Sequence, residues 1–131
     1  MAKYDVPTGV SIEITGTYNV AVARQHLRKL SEELHWSQTL LLRAIAAFTA
    51  LAETAHFKDR RREHLVVYIE AIEREKAHGI EFSADADLDI ISRDYPAARW
   101  QLERVSDEFE INRRGNTDHI VIRVLATEKR S

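Results

Sequence analysis

Ser37-Gln-Thr-Leu-Leu-Leu-Arg-Ala-Ile-Ala-Ala-Phe-Thr-Ala-Leu-Ala-Glu-Thr-Ala-His56 is the stretch that decides the reading of this chain. Leu40, Leu41, Leu42, Ile45, Phe48, Leu51 and Ala52 leave almost no polar stripe, so a helix here is expected to be buried rather than to lie on a surface. Ser37 stands where an N-cap belongs. Just before it, Asn19 to Trp36 sets Val20, Ala23, Leu27, Leu30 and Leu34 at spacings of three and four. Arg24, Arg28, Lys29, Glu32 and Glu33 fill the remaining positions, the pattern of an amphipathic surface helix. Earlier still, Val10, Ile12 and Ile14 alternate with Ser11, Glu13 and Thr15, a half-buried strand ended by Gly16.

Downstream, Lys58 to Glu63 is a charged connector. Strands are expected over His64 to Arg74 and Gly79 to Ala84, with Glu75, Lys76 and His78 in the turn between them. Asp85 to Asp94 is polar and reads as a loop. A third helix is expected from Tyr95 to Asp107, with Pro96 tolerated in its first turn. A strand at Glu108 to Asn112, a turn at Arg113 to Asp118 containing Gly115, and a last strand from His119 to Ala126 complete the order. The polar tail from Thr127 to Ser131 is expected to fray. Strand, helix, helix, strand, strand, helix, strand, strand predicts an α+β two-layer sandwich. Its sheet would be mainly antiparallel, of about five strands, with three helices on one face.

The composition sets broad bounds. A chain of 131 residues makes one domain that can bury a two-layer core. Apolar residues at 44% and charged ones at 31% are ordinary for a folded protein and argue against disorder. A formal charge of −2 supplies no net basic field for nucleic acid or anionic membrane. With no cysteine, disulfides and thiol chemistry are excluded, which fits a reducing cytosol, so a cytoplasmic location is expected. Met1 to Gly9 has no apolar core of signal-peptide length, and Arg43, Thr49 and Glu53 interrupt the longest apolar run.

Two segments carry a family resemblance. Val22-Ala-Arg-Gln25 resembles the opening of the first helix in the RsbT-type switch-protein serine kinases. Glu103-Arg-Val-Ser-Asp-Glu-Phe-Glu-Ile111, followed by a Gly-Asn-Thr turn and a terminal strand, resembles the closing segment of the same family. Those kinases stand with the RsbW-type anti-sigma factors in the histidine-kinase-like (GHKL) ATPase superfamily, and the likeness covers nearly all of residues 10–126. It implies a nucleotide-binding fold that acts on partner proteins. The second helix of such a kinase carries a glutamate as general base and an asparagine as magnesium ligand. Aligned through Ala44 and Ile45, those positions here are Ala47 and Leu51, which hold neither a proton acceptor nor a metal-ligating oxygen.

The glycine-rich motifs of the family are altered as well. Asp85-Ala-Asp-Leu-Asp89 stands where an aspartate is followed by two glycines, so Asp85 matches the adenine-binding aspartate and Asp87 and Asp89 replace the glycines. Two unpaired carboxylates beside a triphosphate would cost on the order of 1–3 kcal/mol each. The glycine-rich lid has no counterpart, since no glycine lies between Gly79 and Gly115. Thr117 matches the terminal Gly-Thr position, one residue out of step. The resemblance therefore implies a pseudo-kinase in which Asp85 and Thr117 are remnants of a nucleotide site. Neither ATP nor magnesium is then required.

Other patterns have plainer readings. The alternating Asp85, Asp87 and Asp89 lack the central glycine and distal glutamate of a calcium loop. The six histidines show no zinc spacing, so no metal is expected. Lys58, Arg60, Arg61 and Arg62 read as a solvated run that could meet an acidic partner or a phosphate. The resemblance makes Arg24, with Arg28 beside it, a partner contact; the plain alternative is an exposed arginine pairing locally with Glu32. Trp36 and Trp100 are expected to pack. Trp100, where the lid would join the last helix, would fill the vacated nucleotide pocket or touch a partner. The leading expectation is a non-catalytic partner-switching regulator of the anti-sigma type. Its partners would be a STAS-domain antagonist, a phosphatase regulatory domain or a sigma factor, with no nucleic acid and no membrane. The alternatives are a divergent ATP-dependent serine kinase that uses Asp85 for adenine and Glu53 as a displaced base on a STAS-domain substrate, and a homodimerisation module.

Overall fold

The computed structural model describes residues 9–57 and 64–127; the connector Lys58 to Glu63 with its basic run, the residues before Gly9 and those after Thr127 lie outside the described residues. The chain runs β1 (Gly9–Ile14), α1 (Thr17–Leu34), α2 (Gln38–Ala52), a π-helical turn (Glu53–Phe57), β2 (Leu65–Glu73), β3 (His78–Ala86), α3 (Leu88–Asp94), α4 (Ala98–Arg104), β4 (Glu108–Arg114) and β5 (Thr117–Ala126). The strands form one sheet in the order β1-β2-β3-β5-β4 with every neighbouring pair antiparallel. This is the α+β two-layer sandwich expected from the element order.

Strand alternation divides the residues between two faces. Ile14, Leu65, Val67, Ile69, Ile80, Phe82, Ile120, Ile122 and Val124 point into the core beneath the helices. Their alternates Ser11, Tyr68, Glu70, Glu81, Asp85 and Arg123 stand on the opposite, open face. Phe48 of α2 meets Phe82 of β3 edge-on, ring centroids 5.6 Å apart, and so fixes the helix at mid-sheet.

Capping accounts for the helix boundaries. Ser37 Oγ accepts from Leu40 N–H at 3.1 Å, the N-cap expected for α2. Between α1 and α2 the chain reverses through His35, which holds a left-handed φ of 55° as the C-cap of α1. The β4–β5 hairpin closes through Gly115-Asn116. Gly115 takes φ 61° at the first central position, as type II′ turns require.

Several expectations are corrected. Among the described residues there are four α-helices rather than three, because Asp85 to Asp94 is not a loop. Strand β3 continues to Ala86, and Asp87 then caps α3, its Oδ1 accepting from Asp89 N–H at 3.0 Å and Ile90 N–H at 3.2 Å. Leu88 and Ile91, three residues apart, anchor the new helix in the core. The expected helix from Tyr95 to Asp107 contracts to α4, since Ser106 Oγ–H turns back to Leu102 O and ends it. Helix α2 is not buried all round. Leu40, Ala44, Ala47, Phe48 and Leu51 face the sheet, while Leu42 is 55% exposed and Ala46 faces outward with it.

Candidate functional site

The α2 positions matched to the resembled family's base and metal ligand lie within the hydrophobic core. Ala47 and Leu51 are both 0% exposed on the sheet-facing side of α2. Their neighbours Ala44, Phe48 and Ala52 are equally enclosed. A carboxylate or amide there would have to shed its water with no partner provided. Glu53, the displaced-base candidate, is exposed where α2 gives way to the π-helical turn.

Asp85 is placed elsewhere. It lies on the open face of the sheet, its Oδ1 2.9 Å from His119 Nδ1, opposite it in the β3–β5 register. His64, Val66, Tyr68 and Asp85 line a shallow depression on that face. The sheet therefore separates Asp85 from Ala47 and Leu51. Thr117 begins β5 at the hairpin, its hydroxyl donating to Arg114 O at 3.3 Å. Asp85 and Thr117 are not brought together with the α2 positions.

The acidic run has a structural use that its sequence conceals. Asp87 is buried at the α3 cap with Arg113 Nη1 3.7 Å away, and Arg113 also reaches the buried Asp118 at 3.2 Å and Asp89 at 3.9 Å. Asp118 in turn accepts from Leu88 N–H at 3.1 Å. Burial works to lower the Arg113 pKa, but the Asp118 hydrogen bond and the three carboxylates outweigh it and hold the guanidinium above its ordinary value. The expectation of two unpaired charges at Asp87 and Asp89 is thus corrected. Both sit beside one arginine.

The segment that carries the resemblance at the end of the chain is also structural. Asp107 forms an ion pair with Arg43 of α2 and accepts from Leu125 N–H at 2.7 Å, while Arg43 Nη1–H donates to Leu125 O at 3.0 Å. The pair ties α2 to the end of β5. Glu108 accepts from Arg74 at 2.7 and 3.0 Å and from Arg123 at 3.3 Å. Arg123 further pairs with Glu81 at 2.8 Å and with Glu110. The Arg74 hydrogen bond holds the Glu108 carboxyl below its ordinary value. This open-face network was missed in the sequence. Its signal is in the period-two spacing of Glu108 and Glu110 and in the charges Glu81 and Arg123, each flanked on both sides by apolar strand residues.

No protein-family model and no curated protein matches the chain.

The proposed contact residues separate by exposure. Arg24 does not pair with Glu32; its Nη2–H donates to Thr49 Oγ1 at 3.3 Å across the α1–α2 groove, half-buried, and its Nε is buried with no partner among the described residues. Arg28 is exposed and donates to Gln25 Oε1 at 3.1 Å along its own helix. Trp36 packs in the core as expected. Trp100 fills no pocket: it is 57% exposed on α4, with the Arg104 guanidinium 5.2 Å from its ring centroid. Ala98 and Leu102, four residues apart, share the inward face of α4, and Trp100 between them falls on the outward face.

Proposed function

We propose that this chain is a non-catalytic regulatory protein of a partner-switching pathway, acting by occupancy of a protein surface in the cytoplasm. The observation that carries this reading is the complete enclosure of Ala47 and Leu51, where a kinase of the resembled family needs a base and a metal ligand. The commitment of Asp87 and Asp118 to the α3 cap supports it, because the first N–H groups of that helix already donate to carboxylates and are not open to a phosphate. A contact surface is available on the helical layer. Exposed Arg28 and Trp100, with Leu42 between the outer helices, offer cationic and apolar groups of the kind that anchor interfaces.

The partners implied by the resemblance are a STAS-domain antagonist, a phosphatase regulatory domain or a sigma factor. With no phosphoryl transfer of its own, the switch resides in the partner's state. Calorimetry with Mg-ATP is expected to give no heat at millimolar nucleotide; micromolar binding overturns the reading. Capture of such a partner is expected to weaken on Arg28→Ala and Trp100→Ala. Arg24→Ala acts first on the α1–α2 groove, so its effect on capture is read only alongside a melting curve.

One observation favours a second reading, the divergent serine kinase. Glu53 is exposed at the mouth of a π-helical turn, a distortion that recurs at functional positions. Were Glu53 the base, Glu53→Gln would abolish phosphate transfer to a STAS-domain substrate while leaving the fold intact.

A further inference from the structure

We infer that the open face of the sheet around Tyr68 is a docking site for an extended, arginine- or lysine-rich segment of a partner protein. The site lies across the sheet from the helical surface proposed above and does not rest on that reading. The open face divides into two halves that differ in how their charges are met. Toward β5 and β4, Arg123 pairs with Glu81, Glu108 and Glu110, and Arg74 pairs with Glu108 as well. Toward β1 the sheet supplies no such cation, because strands β1, β2 and β3 contain no lysine or arginine. Glu13 and Glu70 stand exposed on that half, and neither makes an ion pair among the described residues. Glu70 also lies directly opposite Glu81 in the β2–β3 register, a like-charge pair that a further cation would relieve. Asp85 gives one oxygen to His119 and is otherwise half exposed.

An aromatic ring stands in the middle of this half. Tyr68 is 54% exposed because its cross-strand neighbours are Ser11 on β1 and Ser83 on β3, too small to cover it. A depression flanks the ring at each end along β2. One is lined by His64, Val66 and Asp85, the other by Ser11, Glu70 and Ser83, and Tyr68 borders both. Each depression therefore joins an aromatic wall to a carboxylate, the combination that holds a guanidinium or an ammonium.

The spacing sets the pattern of the occupant. Val66 and Glu70 are four residues apart on β2, which separates the two depressions by about 13 Å. An extended chain repeats its side-chain direction every second residue and covers the same distance in four. Basic side chains at i and i+4 therefore reach both depressions, and the residue at i+2 must be small to pass over Tyr68. A helix rises only about 6 Å over the same four residues and would fill one depression alone. An anionic segment would be repelled by Glu13, Glu70 and Asp85.

Fluorescence anisotropy of the labelled peptide Gly-Arg-Ser-Ala-Ser-Arg-Gly, titrated with the full chain, tests this. The expected result is saturable binding with a Kd on the order of 100 µM. Raising NaCl from about 50 to 300 mM should weaken it roughly threefold. A peptide of the same composition with its arginines three residues apart keeps the charge but turns them to opposite faces, and its Kd should be about fivefold higher. Glu70→Gln and Asp85→Asn should each raise the Kd roughly threefold to tenfold. Tyr68→Ala should raise it about fivefold, and Tyr68→Phe, which keeps the ring face, should bind like the parent. Tyr68 and Glu70 are exposed, so their variants should melt with the parent. Absence of saturable binding up to millimolar chain overturns the inference. Binding indifferent to the arginine spacing, or unchanged in Tyr68→Ala, reduces the face to unspecific charge and overturns it equally.

Discussion

At the scale of the residue, enclosure decides more than chemistry does. Placing the resembled family's residues on α2 illustrates this. Leu51→Asn removes a fully enclosed apolar side chain and leaves an amide without partners, at a cost of about 3 kcal/mol or more. Ala47→Glu brings a carboxylate into the same enclosed layer and should cost more still. Urea titration of both variants is expected to show large losses of midpoint and no gain of phosphate transfer; a stable variant that turns over ATP would show that the pocket opens. Gly79 makes the same point through backbone. A Cβ there would lie 1.9 Å from Val124 O, inside the β3–β5 pair, whereas one at Gly9 would meet nothing closer than 3.9 Å. Gly79→Ala should therefore cost roughly 1–3 kcal/mol and Gly9→Ala close to nothing. Equal melting temperatures for the two would contradict the close approach.

At the scale of the element, charges placed by strand register act as fasteners. Glu108 on β4 sits between Arg74, just past the end of β2, and Arg123 of β5, and the Arg74 hydrogen bond lowers its folded pKa. On acidification the unfolded chain therefore takes up this proton before the folded one does. The contribution of Glu108 is complete above the ordinary glutamate value of about 4.3 and is lost as pH falls through the lowered folded value. Urea midpoints of parent and Glu108→Gln should then differ most near pH ~7 and converge in strong acid. Both partners are open to solvent, so added salt should also shrink the gap. A gap that persists unchanged in acid would assign the effect to packing.

The same element scale explains what the sequence disclosed. Strands β1, β2 and β5 and helices α1 and α2 were legible because their apolar periods run unbroken, and Ser37 announced its cap. Helix α3 was not. Its cap Asp87 and first-turn Asp89 look like loop composition, and their meaning depends on Arg113 and Asp118, which come from the far hairpin. The outward face of α2 was hidden for the opposite reason. Leu42 and Ala46 are apolar, and periodicity cannot tell a helix enclosed on all sides from one that shows an apolar stripe to solvent. The matched site residues were legible only as types. That Asp85 and Ala47 lie on opposite sides of the sheet follows from strand alternation once β3 is known to reach Ala86.

At the scale of the whole molecule, the proposed action by surface occupancy predicts that the residues that hold the fold together are separate from those that bind. Under that proposal the two tryptophans would fall one in each set. Trp36 is enclosed in the hinge between α1 and α2; Trp100 stands exposed on α4 with Arg104 across its ring. Trp36→Ala is expected to cost about 3–5 kcal/mol, as large aromatics in a core do. Trp100→Ala should leave stability within roughly 0.5 kcal/mol. In the parent protein iodide should quench Trp100 and spare Trp36, and a bound partner that covers α4 should abolish the quenching. Quenching that survives a saturating partner would move the contact surface away from α4. A stability loss for Trp100→Ala comparable to that for Trp36→Ala would instead place Trp100 among the residues that hold the fold, and the surface would then have to be sought around Arg28 and Leu42.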